Sequence, residues 1–501
     1  MRHFSLRSTL FTAALLAGTA IVSAAPLQVA IDTAPAGLDP HLITAFNSVL
    51  IVQGNVYEGL TAVAKDLSIV PLLATSWDIS DDGLSYTFHL AEGVTFHDGS
   101  TFDAEDVAAS IRRVQNAEIA SPLASRVTPI TGIEVVDPQT ITFTLDAPFA
   151  PILSSLSSIA MVPAEFETNK EALQQAPVGT GPFSFSEWQP NGFISLVRND
   201  SYWTDGVPSL DGVTFNFVPE AATRQVGLTS GQYHLLPGVD PATALQLQGQ
   251  PGITVQETRD IAYSLLGMNT SRPPFDKPEV REAFNTMLNR QEIIDGALFG
   301  AGVPAGPLSP ALANWAVDTA NYACYTPDPA KARSMLEAAG VTLPLQIKMN
   351  VLPRQDIRDI AQVIQQQAAA AGVEIELVAQ EIGDFVQSWR NSEFDVFVSS
   401  NGGSPDPDEY FFRTFRGGGS TNVFKYDDAG VNDLLDAGRS TTDPAARKEI
   451  YDDVQEVLAC TGPAAHIAYG TLFTAVSDKV SGFEIYSNGR LTSLRNATLA
   501  D

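Results

Sequence analysis

The sequence predicts a mixed α/β fold, on three observations. Runs of strict two-residue alternation, rich in β-branched and aromatic residues, read as half-buried strands: SYTFHL over 85–90, TITFTL over 140–145 and VTFNFV over 213–218. Between them lie helical patterns with start and stop signals. In TFDAEDVAASIRRVQ, Asp103 is the expected N-cap with Asp106 three residues on; in DPAKARSMLEAAG, Asp328 caps, Pro329 opens the helix and Gly340 stops it. The second half then repeats helix-then-strand: residues 356–380 give an amphipathic helix, a stop at Gly372 and a strand. Turn clusters at 176–183 (APVGTGPF) and 268–280 (MNTSRPPFDKPEV) read as places where the chain leaves one lobe for another.

A chain of 501 residues, 44% hydrophobic and 17% charged, can bury two or three domains. Its start places Arg2 and Arg7 before an apolar run from Leu10 to Val22, with small residues at Ala24 and Ala25. That pattern predicts a secretory signal peptide over residues 1–24, too short to span a bilayer. No cysteine follows the run to carry a lipid, so the expected location is the periplasm. The net charge of −29 becomes −31 once Arg2 and Arg7 are removed. Such a surface repels phosphate backbones, which argues against a nucleic-acid partner and suits a soluble monomer. Cys324 and Cys460, the only cysteines, read either as a disulfide or as buried thiols, and no neighbouring histidine suggests a metal site.

No motif for covalent chemistry stands out, and no cofactor or metal is expected. The GTG at 179–181 is followed by Pro182 and lacks a third glycine, so it reads as a turn rather than a phosphate cradle. His97 precedes Asp98-Gly99, a strong turn dipeptide. In FVSSNGGSPDPDEYFF (397–412), Asp406, Pro407 and Asp408 lack calcium-loop spacing, and Asp408 is the expected cap of the following helix. Ser399 to Ser404 leave an apolar strand at its carboxyl end, where α/β folds place ligands.

Several segments, in order over almost the whole chain, resemble one family, the exported solute-binding proteins of ABC importers for dipeptides, oligopeptides and nickel. They include GLDPH (37–41), NVYEGL (55–60), residues 85–113, PVGTGPFSFSEWQPN (177–191), SYWTDGVPSLDGVTF (201–215), RPPFDKPEVREAFNTMLNRQEII (272–294), YTPDPAKARSMLEAAG (325–340) and SPDPDEYF (404–411). The resemblance implies a clamshell of the periplasmic-binding-protein type II kind, two lobes in three domains with mixed sheets. Domain I would comprise 25–65, 179–264 and 465–501, an inserted domain II 66–178, and domain III 265–464. A small solute or short peptide would be enclosed between the lobes and presented to a membrane permease, with no covalent step.

Site residues follow from the same resemblance. Peptide binders hold the ligand ammonium with an aspartate where this chain has Gly403, and Ser400 replaces the usual aromatic residue. An amine enclosed there without a counter-charge would be penalised by several kcal/mol, which favours a sugar, an opine-like conjugate or another polar solute over a plain dipeptide. Arg354 is the candidate for the ligand carboxylate. Backbone groups of Ser399 and Asn401 would pair with ligand main chain, beside Gly402 and Ser404. Phe46 and Asn47 would wall the first lobe, with Tyr486 and Asn488 near the return crossing. Two readings of other classes remain: an exported hydrolase using Asp406 and Asp408, and a peptide-binding chaperone.

Overall fold

The computed structural model describes residues 25–500; the expected signal peptide lies outside the described residues. Two long strands, Ile253–Met268 and Ala464–Ser477, run antiparallel and form the axis of the molecule. Their outer ends pair from Ile253↔Ser477 to Arg259↔Thr471, and their inner ends from Tyr263↔Tyr469 to Gly267↔Ala464. Asp260, Ile261 and Ala262 interrupt the ladder between these two stretches. Beyond the interruption the strand acquires a new neighbour, Val396–Asn401, from Tyr263 to Met268. On the other side Leu235–Val239 pairs with Ala464–Ser477 and hands the sheet on to Leu27–Ile31, Gly212–Phe217, Phe193–Arg198 and Phe183–Gln189. Both ends thus belong to one 11-stranded sheet that serves two halves.

The strand changes neighbours inside its own length, at Asp260–Ala262, ahead of the turn cluster at 268–280. A bulge bends a strand without ending it, so composition gives no signal there. The cluster at 176–183 does lead into the strand Phe183–Gln189. Strands paired in parallel, such as Leu27–Ile31, are buried on both faces and nearly continuous in apolar residues.

A separate four-stranded antiparallel sheet, Ala74–Ile79, Ser85–Leu90, Thr140–Leu145 and Ile130–Asp137, carries its own core. Tyr86, Phe88, Ile141 and Phe143 meet Val107, Ala108 and Ile111 of the helix Ala104–Gln115. That helix opens on the expected Asp103–Asp106 capping box. Buried polar contacts tie this sheet's helix to the first half. Arg113 forks onto Asp39 (2.6 Å and 3.1 Å), both side chains fully buried, and also contacts His41. Burial, reinforced by the Arg113 charge, pushes His41 down to about 4, so it stays neutral at neutral pH.

In the other half, the helices Pro278–Met287, Arg290–Ala297, Pro329–Ala338 and Gln355–Ala370 pack one apolar cluster, and an aromatic cluster holds Tyr410, Phe411, Phe415, Phe424 and Tyr451. Cys324 and Cys460 are bonded to each other, which selects the disulfide from the two readings of the sequence. No helix among the described residues is long and apolar enough to cross a membrane. The expected strand at 213–218 is observed one residue earlier, Gly212–Phe217.

Candidate ligand-binding cleft

A cleft of about 840 Å³ lies between the halves. One wall comes from the first half: Phe46, the stretch 53–65, and 486–490 with Arg495. The opposite wall is Gly402 to Pro405 with Glu409, and its floor is the strand interruption at Asp260–Ala262. The interruption of the long strand therefore also faces the cleft.

The loop 402–405 owes its shape to the helix that follows. Asp406 is the N-cap of Pro407–Phe415, its Oδ1 accepting from the Asp408 amide at 2.9 Å, with Pro407 at the first position. The sequence had assigned that role to Asp408, but the preference of proline for the first turn moves the cap to the residue before it. Both carboxylates are engaged by arginines. Arg447 forks onto Asp406 with two contacts of 2.7 Å, and Arg439 reaches Asp408 at 2.8 Å. Burial raises the pKa of Asp408, against the pull of Arg439. Neither acid lines the cleft, so the proposed hydrolytic pair has no access to a substrate there.

Gly402, Gly403 and Ser404 line the cleft. Ser404 donates to Glu409 Oε2 at 2.6 Å, while Glu409 Oε1 is buried without a partner. Gly403 packs against the interrupted strand so closely that a Cβ there would lie 2.2 Å from the Ile261 carbonyl oxygen. An aspartate in this backbone would collide with main chain. Asp260, adjoining the Ile261 against which Gly403 packs, lines the same cleft. Burial pushes the Asp260 carboxyl up to about 6, opposed by the Ala262 and Ile261 amides and by the Arg354 charge.

The remaining expected site residues divide. Phe46, Tyr486 and Asn488 line the cleft, Phe46 with 56% of its surface exposed. Asn47 turns away, donating to Asp32 and Thr33 beside a smaller cavity of about 140 Å³. Ser399, Ser400 and Asn401 pair with Leu265, Ser264 and Tyr263 in the sheet and do not line the cleft; the Asn401 amide donates to the Tyr263 hydroxyl at 3.1 Å. Arg354 is not in the lining either. Its guanidinium is forked onto Asp356 (2.6 Å and 2.7 Å) at the start of the helix Gln355–Ala370. An acid two residues on in the first helical turn holds it at the surface.

Sequence reasoning missed the charged groups that do line the cleft: Glu58, Lys65, Arg126, Asp260, Glu409, Arg490 and Arg495. Arg126 donates to Ser158 and stands 3.7 Å from Glu409, a pair that reaches across the cleft. Arg495 lies 3.2 Å from the Tyr202 hydroxyl and 3.8 Å from Glu58. Glu58 in turn accepts from Tyr202, Thr180 and Trp203, a buried acid used for structure. His97 is likewise spent on the fold, donating to the Gly181 carbonyl (2.9 Å) and accepting from the Gly179 amide (3.3 Å). Among the described residues no group of three His, Cys, Asp or Glu is placed to hold a metal ion.

Residues 68–422 match the family profile described as bacterial extracellular solute-binding proteins, family 5 Middle. The chain is 28% identical over 506 residues to the dipeptide-binding protein of Escherichia coli (strain K12), covering 94% of each. It is 30% identical over 508 residues to the glutathione-binding protein GsiB of Pectobacterium atrosepticum, covering 98% of this chain and 97% of that one. Among solved structures it matches the ABC transporter-associated periplasmic binding protein DppA from Helicobacter pylori in complex with peptide STSA. There the TM-score is 0.79 and the identity 27%, over 95% of this chain and 98% of that one. The two-lobed α/β architecture expected from the sequence is the one shared with that structure.

Proposed function

The chain belongs to the bacterial extracellular solute-binding proteins of family 5, and from this premise we propose that it is the periplasmic substrate-binding component of an ABC importer. It captures a peptide-type solute between its lobes and delivers it to a membrane permease. The observation that carries the reading is a large cleft bounded by both halves, with the strand interruption at Asp260–Ala262 as its floor. A solute touching both walls favours the closed arrangement by its extra contacts there. The relatives named for dipeptides and glutathione support a peptide-type solute. Asp260 supplies a carboxylate for an ammonium group in place of the aspartate absent at 403. The leader expected over residues 1–24 fits export, and the domain limits at 65, 178, 264 and 464 belong to the same proposal.

A second reading, an opine-like or other non-peptide solute, draws on Gly403 itself, since the carboxylate of the peptide binders is displaced from its usual place. Mass spectrometry of small molecules released from natively purified protein separates the two. A thermal-shift panel of di- and tripeptides, glutathione, opines and sugars gives the affinity order, since a bound solute raises the melting temperature by mass action. Peptide-type solutes are expected to give the largest shifts. A panel in which no solute of any class shifts the melting temperature, or turnover of one of them, would refute the transport role.

A further inference from the structure

Arg490 is the group on the cleft wall whose chemistry the fold does not use. It follows a tight turn in which the Arg490 amide donates to Asn488 Oδ1 at 3.1 Å and Gly489 takes a φ of +69°. The turn brings its side chain to the place where the main cleft meets two smaller cavities of about 140 Å³ each. Its Nη1 is buried and has no hydrogen-bond partner, and no carboxylate among the described residues lies within ion-pair distance. Its neighbours are the Phe46 ring, 6.0 Å from the guanidinium carbon, and the charge of Arg126. Burial, with Arg126 adding to it, pushes the Arg490 guanidinium down to about 10. None of the acids on this part of the cleft is paired with Arg490. Asp32 is engaged by Asn47 and Thr33, Glu58 by Tyr202, Thr180 and Trp203, and Glu409 faces Arg126 and Ser404.

A half-buried guanidinium whose Nη1 has no partner, close to a second cation that Glu409 balances only at 3.7 Å, is an unfavourable arrangement that an incoming anion reverses. We propose that Arg490, with Arg126 beside it, forms the anion subsite of the cleft and takes a carboxylate of the bound solute. The solute class is thereby carboxylate-bearing, and the subsite lies on the opposite wall from the loop 402–405, with Arg354 playing no part. The planar fork of arginine matches a carboxylate with two parallel hydrogen bonds. This inference rests on the reading of the cleft as a solute site.

The test uses full-length mature protein and calorimetric titration with a panel of di- and tripeptides and glutathione. Each compound is supplied as the free acid and as its C-terminal amide, and glutathione also with its glutamyl α-carboxylate amidated. The parent is expected to bind at least one free acid roughly 10- to 100-fold more tightly than its amide. Arg490→Met should abolish that preference, and Arg490→Lys should keep part of it. The ligand-free Arg490→Met protein should also melt no lower than the parent, because it sheds an uncompensated charge. Equal binding of acid and amide by the parent, or an acid preference that survives in Arg490→Met, overturns the subsite while leaving the solute-binding role intact. A lowered melting temperature of the ligand-free variant assigns Arg490 a structural role and overturns it too. Binding of no compound in either form defeats the cleft reading and the inference together.

Discussion

Replacement of two adjacent glycines offers a direct trial of the cleft geometry. At Gly403 an added Cβ would stand 2.2 Å from the Ile261 carbonyl oxygen and 2.8 Å from its carbon. Carbon and oxygen normally approach no closer than roughly 3.3 Å, so the loop or the strand interruption must give way by about 1 Å. The obstacle is main chain on one side and a helix-capped loop on the other, so relaxation is restricted. Overpacking of this kind costs about 1–3 kcal/mol. At Gly402 an added Cβ meets nothing within 4 Å, and its φ is not in the left-handed region. Gly403→Ala and Gly403→Asp are therefore expected to lower unfolding stability by about 1–3 kcal/mol, whereas Gly402→Asp should stay within about 0.5 kcal/mol of the parent. Urea unfolding of the three ligand-free variants measures this directly. Gly402→Asp adds a carboxylate to the cleft, and amine-bearing peptides should bind it more tightly; Gly403→Asp should show no such gain. A stable Gly403→Asp protein with improved amine binding would refute the packing argument and restore the ammonium site at 403.

Three further outcomes follow. Because the Asp260 pKa is raised to about 6, the folded protein binds the extra proton between the usual carboxylate value and 6, and stability declines as pH rises through that window. Asp260→Asn should thus be more stable than the parent at pH 7.5 by about 1–3 kcal/mol, the advantage vanishing near pH 4; a pH-independent difference would show that burial of the charge is not the cause. Cys324 and Cys460 are 136 residues apart, so the double serine variant should lose about 5 kcal/mol in the chain-entropy model, and a loss below about 1 kcal/mol in denaturant unfolding would reject that model here. Arg354→Ala, which breaks an exposed pair with Asp356, should leave solute affinity within about threefold; a loss above about tenfold in calorimetry would return Arg354 to the site.

What could be read in the chain was local. The strands Ser85–Leu90 and Thr140–Leu145 were legible to the residue because one face of each is buried and the other is not. The helices capped by Asp103 and Asp328 were legible from side chains that satisfy the first free amides. The two axial strands were not, because their burial changes partway as they move from one half to the other. In the site, the ordered motifs led to Phe46, Gly402, Gly403, Ser404, Tyr486 and Asn488, all in the cleft lining. Arg490 escaped although it lies two residues beyond Asn488, since an arginine in a turn looks the same whether it faces water or a cavity. From the sequence Gly403 looks like a missing carboxylate, whereas its smallness is required by a backbone far away in sequence. Arg354 stands before a helix, as the resemblance requires of a carboxylate ligand, but Asp356 captures it there.

The strand Ala464–Ser477 lies between Ile253–Met268 and Leu235–Val239 in the middle of the main sheet, yet it belongs to the last tenth of the 501-residue chain. A polypeptide still being synthesised lacks the piece that joins its two largest layers, however much of the rest has emerged. The two parts of the sheet can join only once that strand has emerged, so the chain stays loosely organised until then. Trimming the C-terminus back past 464 would leave two unzipped sheet edges facing each other rather than a smaller working protein.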